Sequence, residues 1–268
     1  MIIGVDAGNF EVKIATNKGV DAYTSCLGEW RERKLVSKFS EYDMEVEWEG
    51  RRYFAGPLAQ KESRFKLQAK GITKVHNECV LRVLLALQRN ESEFYDLVVG
   101  QPIKTHTDPN KAKIRQMLEG THELVVNGVR KRVGIRKVNI ASEGATAFFT
   151  TNQEDLVRII DIGSGTVNCA TVIDGQFIDL ESFTLEYGAE QGEINAIAQA
   201  LSSRLKGIWH QNERIHVVGG SAEQLVHEME SEFPCAFVHY PFQNDPKFAN
   251  AIGFHVIGEA LYEGNQVR

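Results

Sequence analysis

The stretch RIIDIGSGTVNCATV, Arg158 to Val172, reads as an apolar strand (Ile159, Ile160, Ile162), a tight turn of Gly and Ser, and a second strand of alternating character. Asp161 stands where the first strand ends. Gly163 and Gly165 let the backbone bend closely, because glycine carries no Cβ to penalise unusual dihedrals. Consecutive N–H groups in such a turn form a concavity for anionic oxygens, and the adjoining carboxylate can hold a hydrated Mg²⁺. A structural hairpin with an incidental Asp has the same pattern. What decides between them is whether the chain supplies a matching half.

It does. Ile2 to Val5 is a short apolar strand ending in Asp6-Ala7-Gly8-Asn9, and Phe10 to Ala15 continues as a second strand carrying Lys13. Two hairpins of one plan, far apart in sequence, are the signature of a duplicated fold. Facing one another, they would hold a nucleoside triphosphate and its metal. Asp6 and Asp161 would then bind Mg²⁺ through waters, and Lys13 would reach the β- and γ-phosphates as a point charge.

Composition limits the alternatives. The 268 residues suffice for one large domain or two ordinary ones, and the net charge of −6 argues against a sequence-independent DNA binder. The basic run Arg130 to Arg132 reads as a solvated strand face. Cys26, Cys79, Cys169 and Cys235 show no metal or redox spacing. The opening MIIGVDAGN lacks a signal-peptide layout, and no apolar run is long enough for a bilayer, so a cytosolic protein is expected.

Between the hairpins, Val20 to Gly56 reads as irregular apart from a hairpin at Glu45–Trp48 and Arg51–Phe54, and Leu58 to Ala69 as a short helix or loop. Thr73 to Asn90 has the strongest helical periodicity, capped by Thr73 or Asn77. Tyr95 to Gly100 is a buried strand, Asn110 to Leu118 a helix, and His122 to Ile140 two strands around Asn127-Gly128. Ser142 to Phe149 reads as a small-residue helix. Beyond the second hairpin come a strand at Gln176 to Leu185, a helix at Gly192 to Gly207, a buried strand at Ile215 to Val218, and a helix at Ala222 to Glu230. A last small and apolar helix follows Pro246.

Two further sites emerge. Gly219-Gly220-Ser221 ends a buried strand and opens a helix, so a base or ribose could lie close to its backbone. Glu143 is either an exposed helix glutamate, the commonest fate of that residue, or the group that orients and polarises a water attacking the γ-phosphorus.

Five motifs in order resemble the actin-like ATPase superfamily, which includes actin, chaperone ATPases and sugar kinases. IIGVDAGNFEVKIA resembles its first phosphate motif, VNIASEGATAFF its first connecting helix and RIIDIGSGTVNCATV its second phosphate motif. IHVVGGSAEQL resembles the adenosine motif and FANAIGFHVIG the second connecting helix. Within that superfamily the chain is most similar to bacterial actin-like proteins of plasmid segregation, the ParM/StbA type and especially the short AlfA type. The likeness rests on Glu143, EWEGRRYFAGPLAQ, DPKFANAIGF and CLGEWRERKL.

The resemblance implies an α/β, ribonuclease H-like duplicated fold of two domains around a nucleotide cleft. Domain I would be 1–140 plus 250–268, with a small upper subdomain near 20–72, and domain II 141–249. It implies Glu143 as the catalytic residue. It implies nucleotide binding by Asp6, Gly8, Asn9, Lys13, Asp161, Gly163, Ser164, Gly165, Thr166, Gly219, Gly220 and Ser221, with Mg²⁺ and ATP or GTP. It further implies filament assembly with itself, nucleotide hydrolysis in the filament, and movement of plasmid DNA through a ParR-like DNA-bound adaptor, in a bacterial, plasmid-encoded setting. The run between the second phosphate hairpin and Gly219 is too short for the extra subdomain of longer members. A pocket open on one side is the expectation. The rivals are a type III pantothenate kinase-like enzyme, which shares the Asp-x-Gly-Asn opening but needs an acceptor site not evident here, and an actin-type cell-shape scaffold. The scaffold would be expected to carry a terminal amphipathic segment, which neither Met1 to Val5 nor Gly264 to Arg268 resembles.

Overall fold

Two sheets of β-strands repeat one plan. The computed structural model describes residues 1–67 and 72–263. In the first sheet, β1 (Ile2–Ala7), β2 (Glu11–Thr16) and β3 (Gly19–Thr24) form an antiparallel meander. An excursion follows through β4 (Leu27–Glu29), the hairpin β5 (Met44–Trp48) and β6 (Arg51–Ala55), and the one-and-a-half-turn helix α1 (Pro57–Glu62). Helix α2 (Asn77–Leu87) returns the chain to β7 (Phe94–Gln101), parallel to β1. After α3 (Asp108–Leu118), β8 (Gly120–Val126) turns into the long β9 (Val129–Ser142), which pairs antiparallel with β8 and parallel with β7.

The second sheet starts again with an antiparallel hairpin, β10 (Leu156–Ile162) and β11 (Val167–Ile173), flanked by β12 (Gln176–Phe177) and β13 (Phe183–Leu185), both on β11. Helix α4 (Ile194–Leu205) leads to β14 (Ile215–Gly219), parallel to β10, and α5 (Ala222–Met229) to β15 (Ala236–Val238), parallel to β14. The order β3-β2-β1-β7-β9 in one sheet is thus matched by β12-β11-β10-β14-β15 in the other. The duplication expected from the paired hairpins is present in the strand topology. Helix α6 (Ala249–Tyr262) closes the described chain.

Strand alternation places the cores. Along β10, Ile160 and Ile162 join Leu201, Leu205 and Leu225 from α4 and α5 on one face, while Val157 and Ile159 meet Ala147, Phe148 and Ala249 on the other. On the first sheet, α2 buries Val80, Val83, Leu84 and Leu87 with Ile3, Val5 and Val12. Helix α6 covers the opposite face. A β-carbon at Gly4 would overlap the Ala251 carbonyl oxygen and one at Gly253 that of Thr146, so these glycines set how closely helix, strand and turn can pack.

Several elements depart from the sequence reading. Val20 to Gly56 is less irregular than expected: Gly19–Thr24 and Leu27–Glu29 are strands, held by pairing to β2 and β6 rather than by strong local propensity. Helix α2 starts at Asn77, not Thr73. Its cap is His76, whose Nδ1 accepts the Cys79 N–H at 3.1 Å, while the Thr73 hydroxyl accepts the Val75 N–H at 3.2 Å in a local turn.

Ser142 to Phe149 is not an α-helix. Ser142 ends β9, Gly144 takes φ 78°, and only Ala145–Thr150 coils, as a 3-10 turn. Glu143 therefore lies in the turn between strand and coil. The strand expected at Gln176 to Leu185 is interrupted by a 3-10 turn at Asp179–Glu181, and β15 had no clear signal in its three residues. Of the segment Leu58 to Ala69, residues 68 and 69 lie outside the described residues, as do residues 264–268 of the tail.

Candidate functional site

The strand register sets the site. Asp6 at the end of β1 pairs across with Lys13 on β2, and the Lys13 ammonium reaches the Asp6 carboxylate at 3.2 Å. Asp161 occupies the corresponding place on β10. Ile162 is flanked by Val167 on one side and Gly219 on the other, which brings the turn after β14 alongside the second hairpin. Gly219 has φ 102°, and a β-carbon there would overlap the Ile162 carbonyl oxygen; only glycine fits. At Gly8, which has no such φ, a β-carbon would still overlap the Glu11 carbonyl oxygen.

The two hairpin turns face each other. Asn9 Nδ2 stands 3.2 Å from where a β-carbon of Gly165 would be. Gly163 N–H donates to the Thr166 carbonyl at 2.9 Å, and the Ala189 and Glu190 N–H groups donate to the Gly163 and Ser164 carbonyls at 3.0 Å each, backing the second turn. Together they enclose a cavity of about 700 Å³. Every site residue expected from the sequence lines it: Asp6, Gly8, Asn9 and Lys13 from the first hairpin, Asp161 and Gly163 to Thr166 from the second, Gly219 to Ser221, and Glu143.

Sequence reasoning missed several lining residues, among them Lys74, Asn250 and Lys247. Asn250, near the start of α6, donates to Asp161 Oδ2 at 2.9 Å and accepts the Gly144 N–H at 2.9 Å and the Thr146 hydroxyl at 3.2 Å. Its signal is one polar side chain in the otherwise apolar FANAIGF. Lys247 pairs with Glu11 at 3.0 Å.

Burial dominates the electrostatics. Asp6, Glu143 and Asp161 are each at most 7% exposed, and the two lysines among them leave one negative charge unbalanced. Burial pushes Glu143 up to about 7, opposed by Lys74 and reinforced by the negative charges of Asp6 and Asp161. Burial likewise raises Asp161 to about 6, opposed by the Asn250 hydrogen bond and reinforced by Asp6. For Lys13, burial acts downward, but Asp6 and Asp161 outweigh it and its pKa is raised. A buried surplus of carboxylate oxygen fits a hard divalent cation. Among the described residues no group of three or more His, Cys, Asp or Glu side chains forms a metal cage, so a cation here would share its coordination with water or ligand oxygens.

Paired Asp-Gly hairpins on duplicated sheets, with a glycine turn beside the second, define an actin-like fold. A family model described as "Actin like proteins N terminal domain" matches residues 4–145, more than half of the chain, and the protein belongs to that family. Three solved structures extend the likeness over nearly the whole chain. One is the AlfA filament from B. subtilis plasmid pLS32, at 21% identity over 95% of this chain and 98% of that one, TM-score 0.81. Another is an AlfA filament bound to AMPPNP, at 21% identity over 99% and 97%, TM-score 0.78. The third is apo pSK41 ParM, at 18% identity over 99% of each chain, TM-score 0.75. At these identities the match is one of fold. A comparison with curated protein sequences finds no match. Among the described residues no helix is long and apolar enough to cross a membrane.

Proposed function

We propose that the cavity binds ATP or GTP with Mg²⁺ and that the protein is a cytoplasmic, nucleotide-dependent polymerising ATPase or GTPase of bacterial plasmid segregation. The observation that carries this reading is the convergence of Asp6, Asp161 and Glu143, from three separate chain segments, on one cavity floored by two facing Asp-Gly turns. The similar structures, a plasmid-derived AlfA filament and an AMPPNP-bound AlfA filament among them, point the same way.

In this reading the turn amides of Gly8–Asn9 and Gly163–Thr166 cradle phosphate oxygens, and Asp6 and Asp161 hold Mg²⁺ through waters. The metal supplies neutralisation of charge on the phosphate oxygens. Lys13 stabilises charge that develops on the phosphoryl group. The Glu143 carboxylate orients a water and accepts its proton. The Gly219–Ser221 turn lets base or ribose lie against backbone.

Domain I of the proposed division is 1–140 plus 250–268, with an upper subdomain near 20–72, and domain II is 141–249. Between β13 and β14 the chain holds α4 alone, which supports a domain II without the extra subdomain and a pocket open on one side. The proposed partners are a second copy of the chain and a ParR-like DNA-bound adaptor, with DNA engaged only through the latter.

Light scattering and electron microscopy of the purified protein with ATP or GTP, with and without Mg²⁺, test the proposal alongside phosphate release. Nucleotide- and Mg²⁺-dependent filaments with phosphate release are expected. Failure to assemble with either nucleotide would overturn it.

A further inference from the structure

Lys74, a cation of the cavity wall that lies outside both hairpins, is tied to Glu143 from two directions. It stands before α2, with its side chain 12% exposed. Its Nζ donates to the Ala7 carbonyl at 3.0 Å, just beyond Asp6, and faces Glu143 Oε1 at 3.4 Å. The backbones meet on a single residue. Lys74 N–H donates to the Gln101 side-chain oxygen and Glu143 N–H to the Gln101 carbonyl, both at 2.9 Å. Gln101 is fully buried, and its Nε2 donates onward to the Thr73 hydroxyl at 3.1 Å.

Burial acts against the Lys74 ammonium, but the negative charges of Glu143 and Asp6 outweigh it and its pKa is raised. Glu143 Oε1 is buried without a hydrogen bond from any described residue, in a site where Asp6 and Asp161 repel it. The Lys74 ammonium opposes that repulsion and the penalty of burial, drawing Glu143 toward its charged form and holding the carboxylate through Oε1.

We propose that Lys74 is a positioning residue for nucleotide hydrolysis, fixing the Glu143 carboxylate toward the cavity through the ion pair and the shared Gln101 anchor. The proposal rests on the hydrolytic reading above and adds a residue that acts through Glu143.

The test is a double-mutant cycle of Lys74→Met, Glu143→Gln and the pair, followed by phosphate release and by titration with Mg²⁺ and ADP. Lys74→Met is expected to lower kcat by about 10- to 100-fold with nucleotide affinity changed less than about threefold, and the double variant to be no slower than Glu143→Gln alone. Lys74→Arg, which keeps the charge, is expected to recover part of the rate. A Lys74→Met kcat within about twofold of the parent, single effects that multiply in the double variant, or a loss confined to affinity would each overturn the proposal. Absence of phosphate release from the unaltered protein would instead remove the hydrolytic reading, and this inference with it.

Discussion

Asn250 donates a 2.9 Å hydrogen bond to Asp161, joining the first turn of the closing helix α6 to the end of strand β10. Its oxygen meanwhile accepts from Gly144 and Thr146, so one side chain fixes the turn that carries Glu143 and the carboxylate opposite. Asn250→Ala would orphan two buried donors and strip Asp161 of its neutral partner. We expect a loss of about 2–4 kcal/mol, the scale of a charged hydrogen bond plus unsatisfied donors, measurable by urea unfolding. A loss below about 0.5 kcal/mol would show that water replaces Asn250 without cost.

Glu143→Gln keeps the shape of the side chain and removes its ability to take a proton. Phosphate release should fall by about 10²–10⁴-fold, the usual reach of a general base, while nucleotide-dependent assembly persists and filaments become over-stable. Release and light scattering from the same sample check both halves of the statement. Unchanged release would exclude Glu143 from the chemistry.

What the sequence disclosed follows from how local each signal is. Asp6, Asp161 and their glycines are legible because a hairpin is written within a dozen residues, and the fold follows from finding that hairpin twice. Glu143 was identified, but its setting was not, because the small residues around it suit a helix while the Gln101 carbonyl and Asn250 hold them as a strand end and turn. Lys74 and Asn250 belong to segments whose positions are fixed by α2 and α6 packing on the first sheet. Nothing beside Lys74 marks the cavity, and for Asn250 the one local sign is a polar side chain within the apolar FANAIGF. Likewise, Gly19–Thr24 is a strand because β2 offers it an edge.

The pH dependence of stability is expected to carry the mark of Asp161. Its pKa rises from 3.8 to about 6 on folding, so the native state holds a proton that the unfolded chain has released. Stability of the nucleotide-free protein should therefore fall as pH rises through that window and stay lower above it. Asp161→Asn removes this term. The variant should gain stability on the order of 2 kcal/mol at pH 8, with the gain vanishing near pH 4, while losing Mg²⁺-nucleotide binding and the assembly it drives. Thermal melts from pH 4 to 8 in the presence of a chelator measure it, and a gain independent of pH would contradict the assignment.

Gly219→Ala combines an unfavourable φ of 102° with a β-carbon placed into the Ile162 carbonyl. Backbone strain and overlap together are expected to cost about 2 kcal/mol or more. Gly220, with nothing near its β position, is the control, and Gly220→Ala should change stability by less than about 1 kcal/mol. Chemical unfolding of the two variants side by side decides whether it is the close approach of β14 to β10 that demands glycine.

Arg82 is 3% exposed on α2 and lies outside the cavity, yet it holds the first hairpin turn. Its Nη1 donates to Asn9 Oδ1 and its Nε to the Ser25 carbonyl, each at 3.1 Å, and the Ser25 hydroxyl in turn bonds the Asn9 carbonyl. With Oδ1 engaged by the guanidinium, the Asn9 amide nitrogen is left pointing across to Gly165. A lysine cannot make the same two bonds, because an ammonium lacks the planar fork. Arg82→Lys should therefore release Asn9 and weaken nucleotide binding by about tenfold, the equivalent of one modest hydrogen bond, with the charge of the site unchanged. Titration with ATP or GTP and Mg²⁺ below the unfolding temperature measures this. Because Arg82 does not line the cavity, a loss must pass through the turn it supports. Affinity equal to that of the parent would mean that Asn9 is held by its own hairpin, and that the buried guanidinium serves the packing of α2 alone.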